Sequence, residues 1–164
     1  MTAGAGARKK QTEMNSRSAD EDGTMIRYTD QITPEEYMEL RKKAGWVEFP
    51  IEEAELCVKN AYLVLCVRDG EKAVGVVRLL WDGGYVAFLS DLIVDPAYQG
   101  RGIGRTLVET VIGRIKDNMK PGYKVKLTLN SSRGKESFYR KFGFNERPNE
   151  DSGAAMDQWL TAES

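Results

Sequence analysis

Between residues 98 and 104 the chain reads YQGRGIG, with Gly100, Gly102 and Gly104 alternating with Arg101 and Ile103. The stretch follows Val94-Asp95-Pro96 and opens a helical pattern. Glycine in a first helical turn costs roughly 1 kcal/mol against alanine, so some gain should offset it. One reading is a plain tight turn. The other is an anion site, built from bare N–H groups at the positive end of the helix dipole. Two phosphate-binding patterns are excluded. No G-K-[ST] follows at P-loop spacing, and G-x-G-x-G lacks the third glycine of the dinucleotide fingerprint.

Other residues could carry chemistry. Asp91 lies in the apolar run Leu89-Ser90-Asp91-Leu92-Ile93-Val94, where a carboxylate is expensive unless paired or functional. It is read either as a general base or as a bulge residue that reaches solvent, with Glu48 as a weaker base. Trp46, Glu48 and Phe49 combine aromatic rings with acid, which suits an amine cation on an apolar body or a staple between helices and sheet. Tyr139 stands in FYRKFGF, where its plain reading is a core tyrosine packed at a helix end. Lys124, Lys126, Arg133, Lys135, Arg140 and Lys141 form a basic stretch that a solvated face explains as well as a nucleic-acid surface. Arg101 and Arg105 could meet phosphate, charge to charge, with Arg101 favoured.

Composition narrows the chemistry further. Histidine is absent, which excludes Ser-His-Asp and Cys-His mechanisms and removes the commonest zinc ligand. Cys57 and Cys66 sit in apolar surroundings without a C-x-x-C pair, as small hydrophobes in a reducing compartment would. The expectation is no metal. Lys+Arg (24) and Asp+Glu (25) nearly cancel, so no global charge asks for nucleic acid or an anionic membrane. No stretch approaches the ~20 apolar residues of a spanning helix. A chain of 164 residues with 41% hydrophobic residues can bury one real core.

The elements that would position these residues follow from periodicity and turn chemistry. Residues 1–24 are rich in Gly, Ala, Ser and charge and read as a disordered tail or cloning residue, with Met14 and Met25 as alternative native starts. A transit peptide is the minority reading, because Arg8, Lys9, Lys10 and Arg17 precede most of the acids. A folded domain over 25–164 is expected. Residues 26–28 read as a strand. Thr33-Pro34-Glu35-Glu36 then supplies an N-cap, a proline at N1 and a capping-box glutamate, and Gly45 ends the helix. Pro50 opens a second helix. Runs 62–67, 73–81 and 85–94, separated by Asp69-Gly70 and Asp82-Gly83-Gly84, form an antiparallel meander. Ile103, Leu107, Val108, Val111, Ile112, Ile115 and Met119 mark a helical stripe. Residues 124–129 alternate as a strand parallel to the last of the meander. A short helix over 134–141 and a final strand over 155–160 complete a mixed α/β domain with helices on both faces.

Val94-x-Pro96-x-Tyr98-Gln99-x-x-Gly102-x-Gly104, followed by Asn130 and by Phe138-Tyr139-Arg140-Lys141-Phe142-Gly143-Phe144, resembles the GNAT superfamily of N-acetyltransferases over roughly residues 25–160. The overall shape is similar to small bacterial members and to plant plastid arylalkylamine acetyltransferases. The resemblance implies the acyl-CoA N-acyltransferase fold and acetyl-CoA as cosubstrate. It implies that backbone N–H groups from Gln99, Gly100, Arg101, Gly102, Ile103 and Gly104 cradle pyrophosphate; of the two arginines Arg101 and Arg105, only Arg101 is favoured as a support. Leu92, Ile93 and Val94 would splay at a bulge and meet the pantetheine arm, where one N–H can polarise the thioester carbonyl. Asn130, Ser137, Tyr139 and Arg140 would touch the rest of the cofactor. Tyr139 matches the family's acid and Asp91 is the candidate base. Trp46, Glu48 and Phe49, with the segment 147–153, would wall the acceptor side. The implied function is acetyl transfer to a primary amine of a small molecule by direct attack in a ternary complex. Protein lysine or N-terminal acetylation, and a non-catalytic acetyl-CoA-binding regulator, are the alternatives. A cytoplasmic location is expected, and a homodimer is compatible with the sequence.

Overall fold

The computed structural model describes residues 17–19 and 25–161. The described chain divides into two compact units after Leu129. The first holds a six-stranded sheet in the order β1-β2-β3-β4-β5-β6. Its strands are Arg17–Ala19, Met25–Thr29, Leu63–Asp69, Lys72–Trp81, Val86–Val94 and Lys126–Thr128. Pairing is antiparallel from β1 to β5, and β6 runs parallel to β5. Within the expected N-terminal tail, β1 pairs with β2; residues 1–16 and 20–24 lie outside the described residues.

Local chemistry explains the helices. At the start of α1 (Pro34–Lys43) the Thr33 hydroxyl accepts from the Glu36 N–H, and the Glu36 carboxylate accepts from the Thr33 N–H. This capping box contributes about 1 kcal/mol. The buried residues Tyr37, Leu40 and Arg41 recur at helical spacing. Gly45, just past the helix, takes φ +72°, which suits a glycine at the C-terminal stop. The second helix, α2, spans Ile51–Asn60.

The two sheet faces are covered differently. Tyr37, Leu40 and Ala54 from α1 and α2 meet Val64, Cys66, Val76 and Ile93 in one apolar cluster. Adjacent residues of a strand point to opposite faces, so Val67 lies on the other side. There α3 (Ile103–Asn118) packs on β4 and β5, burying Ile103, Leu107, Val108, Val111 and Ile115. A Cβ on Gly75 would lie 3.5 Å from both Ile103 and Val67, which places α3 opposite α1 and α2. Helices on both faces of a mixed sheet are therefore observed.

In the second unit, α4 spans Glu136–Arg140. The strand expected over 155–160 does not form: those residues carry no strand assignment, and Met156, Trp159 and Leu160 are largely exposed. Apolar residues at suitable spacing cannot make a strand without a paired edge and a covering layer.

Candidate active site

The pairing of β4 with β5 slips at one place. Val76 faces Ile93, and Arg78 faces Ser90, so Asp91 and Leu92 together oppose Val77. This is a β-bulge. Asp91 sits there at φ +51°, the single positive-φ residue other than glycine among the described residues. Aspartate tolerates that conformation better than most residues, and here its side chain is strongly held. Oδ1 accepts from Arg41 Nη1 at 3.0 Å, and Oδ2 accepts from Tyr37 Oη at 2.6 Å and Arg78 Nε at 2.5 Å. All three charged side chains are about nine-tenths buried. Burial, and then the adjacent Asp91 charge, push the Tyr37 phenol above its usual value, so it stays a donor. The candidate base thus lies at the bulge, but accepting a proton would mean giving up donors it already has.

The sequence reading missed Tyr37, Arg41 and Arg78. Arg78 did carry a signal, as a cation inside the apolar run KAVGVVRLLW. Arg41 carries the connection onward. Its Nη2 donates to the Val47 carbonyl at 3.1 Å, and its guanidinium carbon lies 4.6 Å from the Phe49 ring centroid and 5.3 Å from that of Trp46. Trp46 and Phe49 are half-buried against the core, and Glu48 is exposed.

Beyond the bulge, β5 has no further strand on its β6 side among the described residues. Its pairing with β6 covers only Val86, Ala87 and Phe88, leaving Leu92, Ile93 and Val94 without a β6 partner. The Ile93 side chain is buried, whereas Leu92 and Val94 are half-buried. Val94 accepts through its carbonyl from Gln99 Nε2 at 3.0 Å. The chain then turns through Pro96–Tyr98, a single 3-10 turn capped by Asp95. Burial alone would raise the Asp95 carboxyl, but the Ala97 N–H and the ammonium groups of Lys43 and Lys72 hold it below its usual range.

Gly100 and Gly102 follow, at φ +79° and +80°, with nothing within 4 Å of where a Cβ would stand. Gly102 is the N-cap of α3 and offers no capping side chain. The ladder of α3 opens with Thr106 N–H donating to the Gly102 carbonyl, so the N–H groups of Ile103, Gly104 and Arg105 precede it. Gln99, Gly100, Arg101, Gly102 and Arg105 are exposed, Gly104 is half-buried, and Ile103 turns its side chain into the core. Arg101 folds back over Tyr98, 5.0 Å from the ring centroid, and donates to the Ala97 carbonyl. Arg105 faces Glu109 at 4.0 Å. Exposed amide donors at a helix N-terminus fit a phosphate chain.

In the second unit, Tyr139 is half-buried on α4, with Phe138 at 5.0 Å and Phe144 at 6.0 Å between ring centroids. Burial raises its phenol above the ordinary value. Asn130, Ser137 and Arg140 are exposed, and Arg140 pairs with Glu146 at 3.2 Å. The segment 147–153 closes on itself through an Asn149–Ser152 bridge. Among the described residues, no cluster of three or more His, Cys, Asp or Glu could hold a metal ion, and no helix is long and apolar enough to cross a membrane.

Comparison with known proteins places the chain in a family. The family model for the acetyltransferase (GNAT) domain matches residues 29–155. The chain belongs to the GNAT family. A Pyropia yezoensis protein named uncharacterized N-acetyltransferase ycf52 is 27% identical over 117 residues, covering 69% of this chain and 65% of its own. A Glycine max protein named histone acetyltransferase TAP1 is 28% identical over 120 residues, covering 66% of this chain and 50% of its own. The chain therefore spans about half to two thirds of the length of these GNAT relatives. A Staphylococcus aureus structure described as a probable acetyltransferase superposes with a TM-score of 0.73 at 29% identity, covering 82% of this chain and all of the other.

Proposed function

We propose that this GNAT protein is an acetyl-CoA-dependent N-acetyltransferase that acetylates a primary amine on a small molecule in a ternary complex. The observation that carries the reading is the exposed glycine loop at the start of α3, after a stretch of β5 that lies past a bulge and past the end of β6 pairing. Acetyl-CoA supplies an activated acyl group: a C–N bond forms, the C–S bond breaks, the amine gives up a proton and the sulfur takes one. The N–H groups from Gly100 to Gly104 bind the pyrophosphate, the Gln99 N–H being turned to the Pro96 carbonyl, and Arg101 adds charge at the rim. The backbone of Leu92, Ile93 and Val94, past the end of β6 pairing, takes the pantetheine arm and offers an N–H to the thioester carbonyl, where developing charge is worth stabilising. Asn130, Ser137 and Arg140, exposed in the second unit, are assigned to the cofactor by the family resemblance alone. Tyr139 is the acid: its raised phenol stays protonated at neutral pH.

Asp91 serves this site as an anchor. An alkylammonium holds its proton to about pH 10, so some acceptor must take it, and a carboxylate occupied by Arg41, Arg78 and Tyr37 is a poor one. Exposed Glu48 and water are the acceptors in this reading. Trp46 and Phe49 receive the body of the amine. The free thiols Cys57 and Cys66 fit a reducing compartment such as the cytoplasm; burial pushes the Cys66 thiol up to about 12, which makes it inert.

Acetylation of protein lysines is the second reading, favoured by the name of the soybean relative. Mass spectrometry of reactions holding acetyl-CoA and a panel of tryptamine, tyramine, spermidine and lysine peptides tests both. A gain of one acetyl group on a small amine supports the first, and acetylated peptides alone support the second. CoA binding without any product would mark a regulator.

A further inference from the structure

We infer that Arg41 is a positioning residue that couples the 45–50 connection to the bulge in β5, so that the acceptor wall answers to the state of the cofactor strand. The inference rests on the roles proposed above for those two segments. One guanidinium joins them. Nη1 donates to Asp91 Oδ1 at 3.0 Å and Nη2 to the Val47 carbonyl at 3.1 Å, and the Trp46 N–H donates back to the Arg41 carbonyl at 3.1 Å. Phe49 and Trp46 flank the same group. Only a planar fork makes both bonds and both ring contacts at once; a lysine ammonium is a point donor on a flexible stem.

The bond pattern shows what orients this group. Among the described residues Arg41 Nε is buried without a hydrogen-bond partner, a condition that folds ordinarily avoid. Its two Nη atoms nevertheless reach the bulge and the loop. At the far end, the left-handed backbone of Asp91 depends on the grip on its carboxylate. A shift of the bulge that moved Oδ1 would pull on the fork, and the fork would pull on Val47, Trp46 and Phe49. The converse holds for a load placed on the loop, since coupling between sites is reciprocal.

Labelling with 5-fluorotryptophan tests this without knowledge of the acceptor. The chain has three tryptophans, and Trp46→Phe assigns the Trp46 resonance by its loss. CoA is the probe. In the wild type, saturating CoA is expected to raise the melting temperature and shift the Trp46 resonance. In Arg41→Lys the melting rise should persist while the shift falls by more than half. The coupling is overturned if CoA raises the melting temperature but leaves Trp46 unmoved, or if Arg41→Lys shifts as far as the wild type. If Arg41→Lys does not fold, Asp91→Gly removes the acceptor at the other end of the link, at a φ that glycine accepts, and is read by the same two outcomes. If neither folds, the wild-type response decides. No melting rise with CoA in the wild type would instead remove the cofactor-strand reading, and the coupling with it.

Discussion

Arg78 donates from Nε to Asp91 Oδ2 at 2.5 Å, across the point where the register of β4 and β5 slips. The same guanidinium donates from Nη1 to the Cys57 carbonyl at 2.7 Å, tying α2 to the sheet. A buried pair of this kind is weak evidence of net stabilisation, but removing one partner leaves the other charged and under-satisfied. Arg78→Met is therefore expected to destabilise the fold by about 3–5 kcal/mol, read by urea denaturation. A loss below about 1 kcal/mol, the scale of exposed pairs, would mean that water already reaches the pair.

Glu36 makes a second, milder electrostatic prediction. Its carboxylate accepts from Arg68 Nη1 at 2.7 Å and Nη2 at 2.8 Å, and that fork holds it below its ordinary 4.5. A carboxyl depressed in the folded state stabilises above its unfolded value and loses that contribution as pH falls through the folded one. Wild type should therefore exceed Glu36→Gln by about 1 kcal/mol at pH 7, a figure discounted for partial exposure. The gap should close as pH falls below about 4.5. A gap independent of pH in denaturant titrations would assign the effect to the cap geometry instead.

Much of the scaffold was legible because its signals are local. Thr33 and Glu36 are three residues apart, Asp69-Gly70 turns within itself, and the α3 stripe repeats along one helix. The Arg41–Asp91 link was not legible: its ends are 50 residues apart and meet only after β4 and β5 take their register. Asp91 could be singled out as a carboxylate in an apolar run, but not what it touches. The strand expected over 155–160 failed for the complementary reason, since alternation proposes a strand and only a partner edge makes one.

For the glycine loop, Gly104 is a better probe than its neighbours. Gly102 sits at φ +80°, so a side chain there would strain the backbone whatever it did to a ligand. Gly104 lies in the first turn of α3 and is absent from the positive-φ glycines, where valine is no worse a helix former than glycine. Gly104→Val should fold and lose most of the CoA-induced rise in melting temperature that mass action gives the wild type. A folded variant with an undiminished rise would remove the phosphate from this loop.

The anchor reading of Asp91 separates from the base reading by pH. Loss of a general base removes its limb from the pH profile of kcat/KM, whereas loss of an anchor lowers the profile without changing its form. Asp91→Asn, assayed on whichever amine turns over, is expected to keep the acid limb at reduced height. Disappearance of that limb would restore Asp91 as the base.

Tyr139 carries the sharpest expectation. Thiolate expulsion without a donor leaves charge on sulfur, a penalty that grows wherever water is excluded. Burial holds the Tyr139 phenol above its ordinary value, so it remains protonated across the neutral range and can donate as charge develops. Its ring contacts with Phe138 and Phe144 survive in phenylalanine, so Tyr139→Phe should keep the fold and the CoA-induced rise. We expect kcat to fall about 10²-fold or more, the scale of a positioned acid, with KM for acetyl-CoA little changed because the lost contact matters in the transition state. Steady-state kinetics on an acceptor from the amine panel decides it. Turnover within about threefold of wild type is too small a loss for a general acid; Tyr139 would then be packing, and water would protonate the sulfur.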